Sequence, residues 1–192
     1  MKNQGYPSLV DASRREFLVR AESVVASFVA LGSAAVLSPR MARAAGHPLA
    51  ILSPDEAATL EALGNMLMPG AAEAGIAHFV DAQLGADAPL LMLRYLDFPM
   101  PLADFYRQGL AALDAAARHA GGSALPGLAA AQRKALVAQL ASGAVEGWSG
   151  PPAPLFYFTL RADAVDVCCG TEDGFARLGI PYLAHIAPHS SW

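Results

Sequence analysis

Apolar residues in the middle of the chain recur every three or four positions, the spacing of one face of an α-helix. The longest such run extends from Leu102 to Ala120 and is followed by Gly121-Gly122, a pair that typically ends a helix. The segment is therefore predicted to be a long amphipathic helix. Its expected buried stripe comprises Leu102, Phe105, Tyr106, Gly109, Leu110, Leu113 and Ala117.

Several further segments have the same helical patterning. Ser53-Pro54-Asp55-Glu56 is a helix start, because Ser53 can cap the first turn and Glu56, three residues later, can complete a capping box. No segment shows sustained alternation of apolar and polar residues, so no sheet is expected. The sequence predicts an all-α fold, a small bundle of about five to six helices. The further helical segments are Ile76 to about Gly85, a short helix or turn in 89–97, a helix between Pro126 and Ser142, and Leu155 to about Val167.

The segment 170–192 differs in kind from the helices. It is rich in glycine, proline and aromatic residues and ends in Trp192. It is predicted to be an irregular tail that either packs on its own bundle or reaches onto a partner, where aromatic side chains act as anchors. The candidate partner-interface residues are Phe156, Phe175, Tyr182, His185, His189 and Trp192.

The N-terminal segment has the pattern of an export signal. Ser13-Arg14-Arg15-Glu16-Phe17-Leu18 places two arginines before an apolar pair, and 24–37 contains no charged residue. Ala42-Arg43-Ala44 is a small-x-small site suited to cleavage before Ala45. Arg14, Arg15, Phe17 and Leu18 therefore indicate a twin-arginine signal peptide over 1–44, followed by a single helical domain over 45–192. An alternative is that the leader is retained and tethers the protein to the membrane.

Composition narrows the function classes. Residues 45–192 contain 7 basic and 14 acidic residues, a net charge of −7, and show no basic stripe, so nucleic-acid binding is not expected. The two cysteines, Cys168 and Cys169, are adjacent and thus poorly placed for a relaxed disulfide with each other. The twin-arginine route carries folded proteins, which usually bring an inserted cofactor or a partner that holds one.

Recognisable cofactor and catalytic motifs are missing from residues 45–192. There is no G-x-G-x-x-G for a flavin or nicotinamide, no C-x-x-C-H for haem and no G-x-S-x-G nucleophile elbow. Three weak groupings remain. His185 and His189 are four residues apart, but Pro188 between them disfavours a helical metal-ligand geometry. Cys168 and Cys169 supply too few ligands for a usual zinc or iron–sulfur site. Asp163 and Asp166 are expected to be surface charges.

Three stretches together resemble one known family. They are 52–69, beginning Leu52-Ser53-Pro54-Asp55-Glu56; 73–84, including Phe79-Val80-Asp81-Ala82-Gln83-Leu84; and Phe156-Tyr157-Phe158-Thr159-Leu160-Arg161 with the later Leu178-Gly179-Ile180-Pro181-Tyr182. With the leader, these resemble the gluconate 2-dehydrogenase subunit 3 family, the small subunits of periplasmic flavin-dependent dehydrogenases. The segment 168–175 departs from the Gly/Asn-rich turn expected there, which leaves the substrate and the branch of the family open.

The resemblance implies a non-catalytic role. In such complexes a large glucose-methanol-choline-type (GMC-type) subunit binds FAD and oxidises the sugar or sugar acid, and electrons often pass to a haem c subunit. The small subunit stabilises the large one and escorts it through twin-arginine export to the periplasmic side of the inner membrane. The alternative is a self-sufficient small periplasmic metal-binding or redox protein that uses Cys168, Cys169, His185 and His189.

Overall fold

The computed structural model describes residues 37–181. Within this range the chain forms seven α-helices and two short 3-10 helices, and it contains no β-strand. The predicted all-α fold is confirmed. The α-helices are α1 (Pro39–Ala44), α2 (Pro54–Leu67), α3 (Ile76–Leu84), α4 (Leu102–Gly121), α5 (Ala130–Ser142), α6 (Ala153–Cys169) and α7 (Glu172–Arg177). The 3-10 helices span Met92–Tyr95 and Leu125–Gly127.

Local signals set the ends of the long helices. At the start of α2, Ser53 accepts a hydrogen bond from the backbone N–H of Glu56, and the Glu56 carboxylate accepts one from the N–H of Ser53. This is the predicted capping box, which satisfies two backbone donors that the first helical turn leaves open. At the C-terminal end of α4, Gly122 adopts a left-handed conformation with φ of 76°. Glycine reaches this conformation without steric cost, so the helix stops there.

Helix α6 is the centre of the bundle, because it contacts α2, α3, α4, α5, α7 and the first 3-10 helix. Phe156 lies against Phe105 and Trp148, with ring centroids 5.8 and 5.9 Å apart respectively. A Cβ atom at Gly109 of α4 would overlap the Phe156 ring. Gly109 therefore permits the close approach of α4 to α6, and the aromatic cluster fills the space between them.

Two buried polar residues of α3 hold the loops that flank the bundle. The Asp81 carboxylate accepts hydrogen bonds from the backbone N–H groups of Ala50, Ile51 and Leu52, at 2.8, 2.8 and 2.7 Å. The Gln83 amide oxygen accepts a 2.7 Å hydrogen bond from the N–H of Leu90. These hydrogen bonds satisfy the buried side-chain acceptors and the backbone N–H donors in place of water. Helix α3 therefore fixes both the segment before α2 and the segment after α3.

The short helices α1 and α7 were not among the predicted helices. Helix α1 lies in the segment assigned to the leader and contacts α3. Helix α7 corrects the prediction of irregular backbone from Gly170 onwards. Thr171 caps it by accepting a hydrogen bond from the N–H of Gly174, and a Cβ at Gly174 would overlap the backbone of Cys168. Gly174 is thus a site of close packing inside a helix and not a turn. The tail from Tyr182 lies outside the described residues.

Candidate partner-binding surface

Helix α6 carries apolar side chains on its outer face as well as its inner one. Phe158 is 48% exposed and Val165 is 39% exposed, and the two are seven residues apart on one helix face, with Ala162 between them. We call these three residues the outer stripe of α6. The exposed Arg161 and Asp166 border these residues, so the outer face of α6 is mixed and not continuously apolar. In the described part of the chain, the outer stripe faces solvent.

Further exposed apolar residues flank α6. Tyr95, 64% exposed, and Leu96 belong to the first 3-10 helix and its end, a segment that contacts α6. Leu178 and Ile180 are exposed just after α7, which also contacts α6. Large apolar groups scattered singly are ordinary on a protein surface, so the binding-face assignment depends on the outer stripe itself.

Opposite the outer stripe, the body contains a buried Tyr–Asp pair. The Tyr106 hydroxyl of α4 donates a hydrogen bond to the Asp163 carboxylate of α6, which also accepts the backbone N–H of Met92 at 3.2 Å. Burial raises the pKa of the Asp163 carboxyl to about 7, although both hydrogen bonds act in the opposite direction. Burial, together with the Asp163 charge, raises the pKa of Tyr106 well above its ordinary value.

This pair corrects one prediction. Asp163 was expected to be a surface charge like Asp166, but Asp163 is fully buried and Asp166 is exposed. The hydroxyl of Tyr106, a residue 57 positions earlier in the chain, donates the hydrogen bond that makes the burial of Asp163 possible. Because the carboxylate is enclosed by α4, α6 and the 3-10 segment, the pair ties these three elements together and offers no open site for a substrate.

The two thiols lie at the end of α6. Cys168 is buried and Cys169 is half-buried, and neither forms a disulfide in the described chain. Burial raises the pKa of the Cys168 thiol, which disfavours the reactive thiolate. Among residues 37–181, no three His, Cys, Asp or Glu side chains stand close enough together to hold a metal ion. His185 and His189 lie outside this range.

The described surface also has a pocket of about 290 Å³ between the end of α4 and the loop before α6. It is lined by Ala115, Ala116, His119, Glu146 and Gly147. The polar side chains that line this open depression are the His119 imidazole and the Glu146 carboxylate. None of the lining residues belongs to the predicted site residues.

The structure separates the predicted interface residues. Phe156 is fully buried in the core, so its side chain is not available to a partner, in contrast to the prediction. Phe175 is half-buried on α7. Tyr182, His185, His189 and Trp192 lie outside the described residues, as do the export-signal residues Arg14, Arg15, Phe17 and Leu18. Of the predicted cleavage residues, Ala42 is buried and Ala44 is exposed.

The outer stripe was missed from the sequence, although a signal for it exists. Phe158, Ala162 and Val165 occupy positions of α6 that an ordinary surface helix fills with polar residues. The helical spacing of Phe156, Leu160 and Ala164, the inner stripe of α6, predicts only the face that packs in the core. The inner stripe predicts the core, and the remaining apolar residues of the same helix, the outer stripe, indicate a candidate binding surface.

No helix between residues 37 and 181 combines the length and apolar character that crossing a lipid bilayer requires. Between residues 37 and 181 the chain is a small all-helical body, and the outer face of its helix α6 exposes Phe158 and Val165.

The family model for gluconate 2-dehydrogenase subunit 3 matches residues 54–183. The chain belongs to this family, and the resemblance seen in its sequence is confirmed. No curated protein and no solved structure matches the chain significantly. The family identifies the chain as an accessory subunit of a dehydrogenase complex.

Proposed function

We propose that this chain is the non-catalytic small subunit of a membrane-associated periplasmic dehydrogenase that oxidises a sugar or a gluconate-type sugar acid. Its large partner is an FAD-dependent subunit of the GMC type, which binds the flavin and performs the oxidation. A cytochrome c subunit takes the electrons in complexes that contain one. The observation that carries the proposal is the family match over 54–183, which includes α2 to α7.

The outer stripe of α6 supports a role in binding the large subunit. Its apolar area is left in water by the described part of the chain, and covering it on association contributes roughly 25 cal/mol for each Å² removed from water. Aromatic residues at the centre of such a patch usually dominate binding energy. Phe158 has this character, and we assign it the central contact. Tyr95, Leu96 and Leu178 are further exposed apolar residues on or next to segments that contact α6.

The leader supports an escort role. Arg14 and Arg15 address the chain to the twin-arginine route, which moves folded proteins. The sequence of this chain has no flavin fingerprint, so a folded partner that holds the cofactor is the simplest reason for using that route. In this proposal the large subunit docks on the folded small subunit in the cytoplasm, and both cross the inner membrane together.

Purification of the tagged full chain from the periplasm of its own cells tests the proposal. We expect it to bring down a much larger yellow protein with a flavin absorption spectrum, while the chain expressed alone shows neither flavin absorption nor turnover. Replacing Arg14 and Arg15 together by lysine should leave both proteins in the cytoplasm.

Two results would contradict the proposal. One is a periplasmic chain that is stably monomeric and oxidises a substrate by itself. The other is stoichiometric iron or zinc that is lost on Cys168→Ser or Cys169→Ser, which would support the self-sufficient metal-binding or redox protein instead. A large partner that reaches the periplasm without the arginine pair would remove the escort role and leave the binding role intact.

A further inference from the structure

The predicted cleavage site, Ala42-Arg43-Ala44, is part of the folded body, with Ala42 buried and Ala44 exposed. These residues form the last turn of α1, and Ala42 is 0% exposed, packed with Leu37 and with Ala82 of α3. A peptidase reads the small residues before the cut as an extended segment with accessible side chains, which a helical and buried Ala42 does not provide. The family match begins only at Pro54, so α1 precedes it.

Several independent contacts hold α1 in place. Ser38 caps its first turn by accepting the N–H of Met41 at 3.2 Å, and Pro39 occupies the first helical position. The Arg43 guanidinium binds the Glu61 carboxylate of α2 through two nitrogens, at 2.9 and 3.4 Å. A two-pronged contact of this kind fixes orientation as well as charge. The helix is thus tied to α2 by its last turn and to α3 by Ala42.

Gly75 shows how closely α1 approaches the body. This residue precedes α3 with φ of 86°, and a Cβ atom there would overlap the backbone carbonyl oxygen of Pro39. Gly70 also has a positive φ, 91°, but a Cβ there would meet nothing within 4 Å. The turn at Gly75 therefore accommodates α1 in particular.

The chain on the other side of the predicted cut is held as well. The N–H of Ala45, the first residue after the cut, donates a 2.9 Å hydrogen bond to Met41, and the N–H of His47 donates one of 2.9 Å to Ala42. His78 contacts the carbonyl oxygen of His47 at 3.0 Å, and Asp81 binds the N–H groups of residues 50–52. The bond between Ala44 and Ala45 thus lies between two segments that α3 holds in place.

From this geometry we infer that the chain is not cleaved after Ala44 and that α1 is a retained part of the functional protein. The inference rests on the proposed twin-arginine export, because that route delivers the chain already folded to the periplasmic peptidase. Cleavage of a folded chain requires local opening, and each contact of α1 lowers the open population. Any processing then falls before α1, where Ser33-Ala34-Ala35 offers another small-x-small sequence.

Intact mass and N-terminal sequencing of the periplasmic full-length gene product test the inference. We expect a chain that begins at or before Leu37, whether at Met1 or after Ala35. A chain that begins at any residue after Leu37, above all at Ala45, would overturn it.

Two glycine variants test the physical cause. Gly75→Ala should displace α1 and convert most of the exported chain to an Ala45 start, whereas Gly70→Ala, which carries the same backbone strain, should keep the wild-type N terminus. If Gly75→Ala does not accumulate, Arg43→Gln provides a milder release of α1 and should give a detectable Ala45 fraction. Wild-type N termini in both α1 variants would show that packing does not protect the bond.

Failure of export and failure of this inference give different results. A chain found only in the cytoplasm with Met1 intact would contradict the proposed export. The cleavage question is then answered with the purified full chain in detergent and added signal peptidase, once without urea and once in urea that unfolds the chain while the peptidase still cleaves an unstructured control peptide. We expect cleavage at Ala44 only in the sample that has been unfolded, and equal cleavage of both samples would overturn the inference.

Discussion

The inner and outer faces of α6 carry similar side chains in opposite environments. Phe156 is fully buried against Phe105 and Trp148, whereas Phe158, two residues later, is 48% exposed. The charged residues divide in the same way, since Asp163 is buried against Tyr106 and Asp166 is exposed. Helix α6 therefore carries more apolar surface than the described body buries, and we propose that a partner subunit covers the excess.

The largest expected difference between the two faces is in stability. Phe156→Ala should lower the free energy of unfolding by about 3–5 kcal/mol, because it removes a buried ring and leaves a cavity. Phe158→Ala should lower it by only about 1 kcal/mol in the isolated chain, because the side chain is already 48% exposed. Urea unfolding of the two variants measures both values. Equal losses would contradict the division of α6 into a core face and a free face.

The buried carboxyl should make stability depend on pH. Because the pKa of Asp163 is raised to about 7 in the folded chain, the native state holds a proton between about pH 4 and pH 7 that the unfolded state has released. Its contribution to stability is therefore full below the ordinary carboxyl pKa near 4 and is lost as the pH rises to about 7. Asp163→Asn should remove this loss, so its stability relative to wild type should increase by about 1–4 kcal/mol from pH 4 to pH 8.

Asp87→Asn is the control for this prediction, since it removes an exposed carboxylate from the loop after α3. Thermal or urea unfolding between pH 4 and pH 8 should show the change for Asp163→Asn and a much smaller one for Asp87→Asn. The same pH dependence in both variants would mean that Asp163 is not the titrating group.

Removing the hydroxyl that faces Asp163 should have a somewhat smaller effect. Tyr106→Phe leaves the buried carboxylate with the N–H of Met92 as its remaining donor, and we expect a loss of about 1–3 kcal/mol. The loss should be greater at pH 8 than at pH 5, because the ionised carboxylate depends more on the donor. A loss that is the same at both pH values would indicate that Tyr106 contributes packing alone.

Local sequence signals predicted the parts of the fold that depend on neighbouring residues. The capping box of Ser53 and Glu56 and the end of α4 at Gly122 follow from interactions within a few positions. The inner stripe of α6 follows from helical spacing. These elements form where the sequence alone placed them, because backbone hydrogen bonding and side-chain periodicity are local properties.

The remaining features depend on contacts between distant residues. Asp163 is buried because α4 brings Tyr106 to it, and α1 forms part of the body because Gly75 and Glu61 receive it. In sequence, α1 has the composition of a cleavage region, and the segment after Gly170 has the glycines of a loop. The candidate interface residue Phe156 was misplaced for a similar reason, since helical spacing does not distinguish which of two apolar faces is covered.

The affinity of this chain for its flavoprotein partner tests the central claim most directly. The double variant Phe158→Ser, Val165→Ser should bind the large subunit at least about 30-fold more weakly than wild type, the loss expected for a hot spot of 2 kcal/mol or more. Lys134→Ser, an exposed change on α5, should bind like wild type. With all three chains equally helical by circular dichroism, undiminished affinity of the double variant would contradict the assignment of the outer stripe of α6 as the binding face.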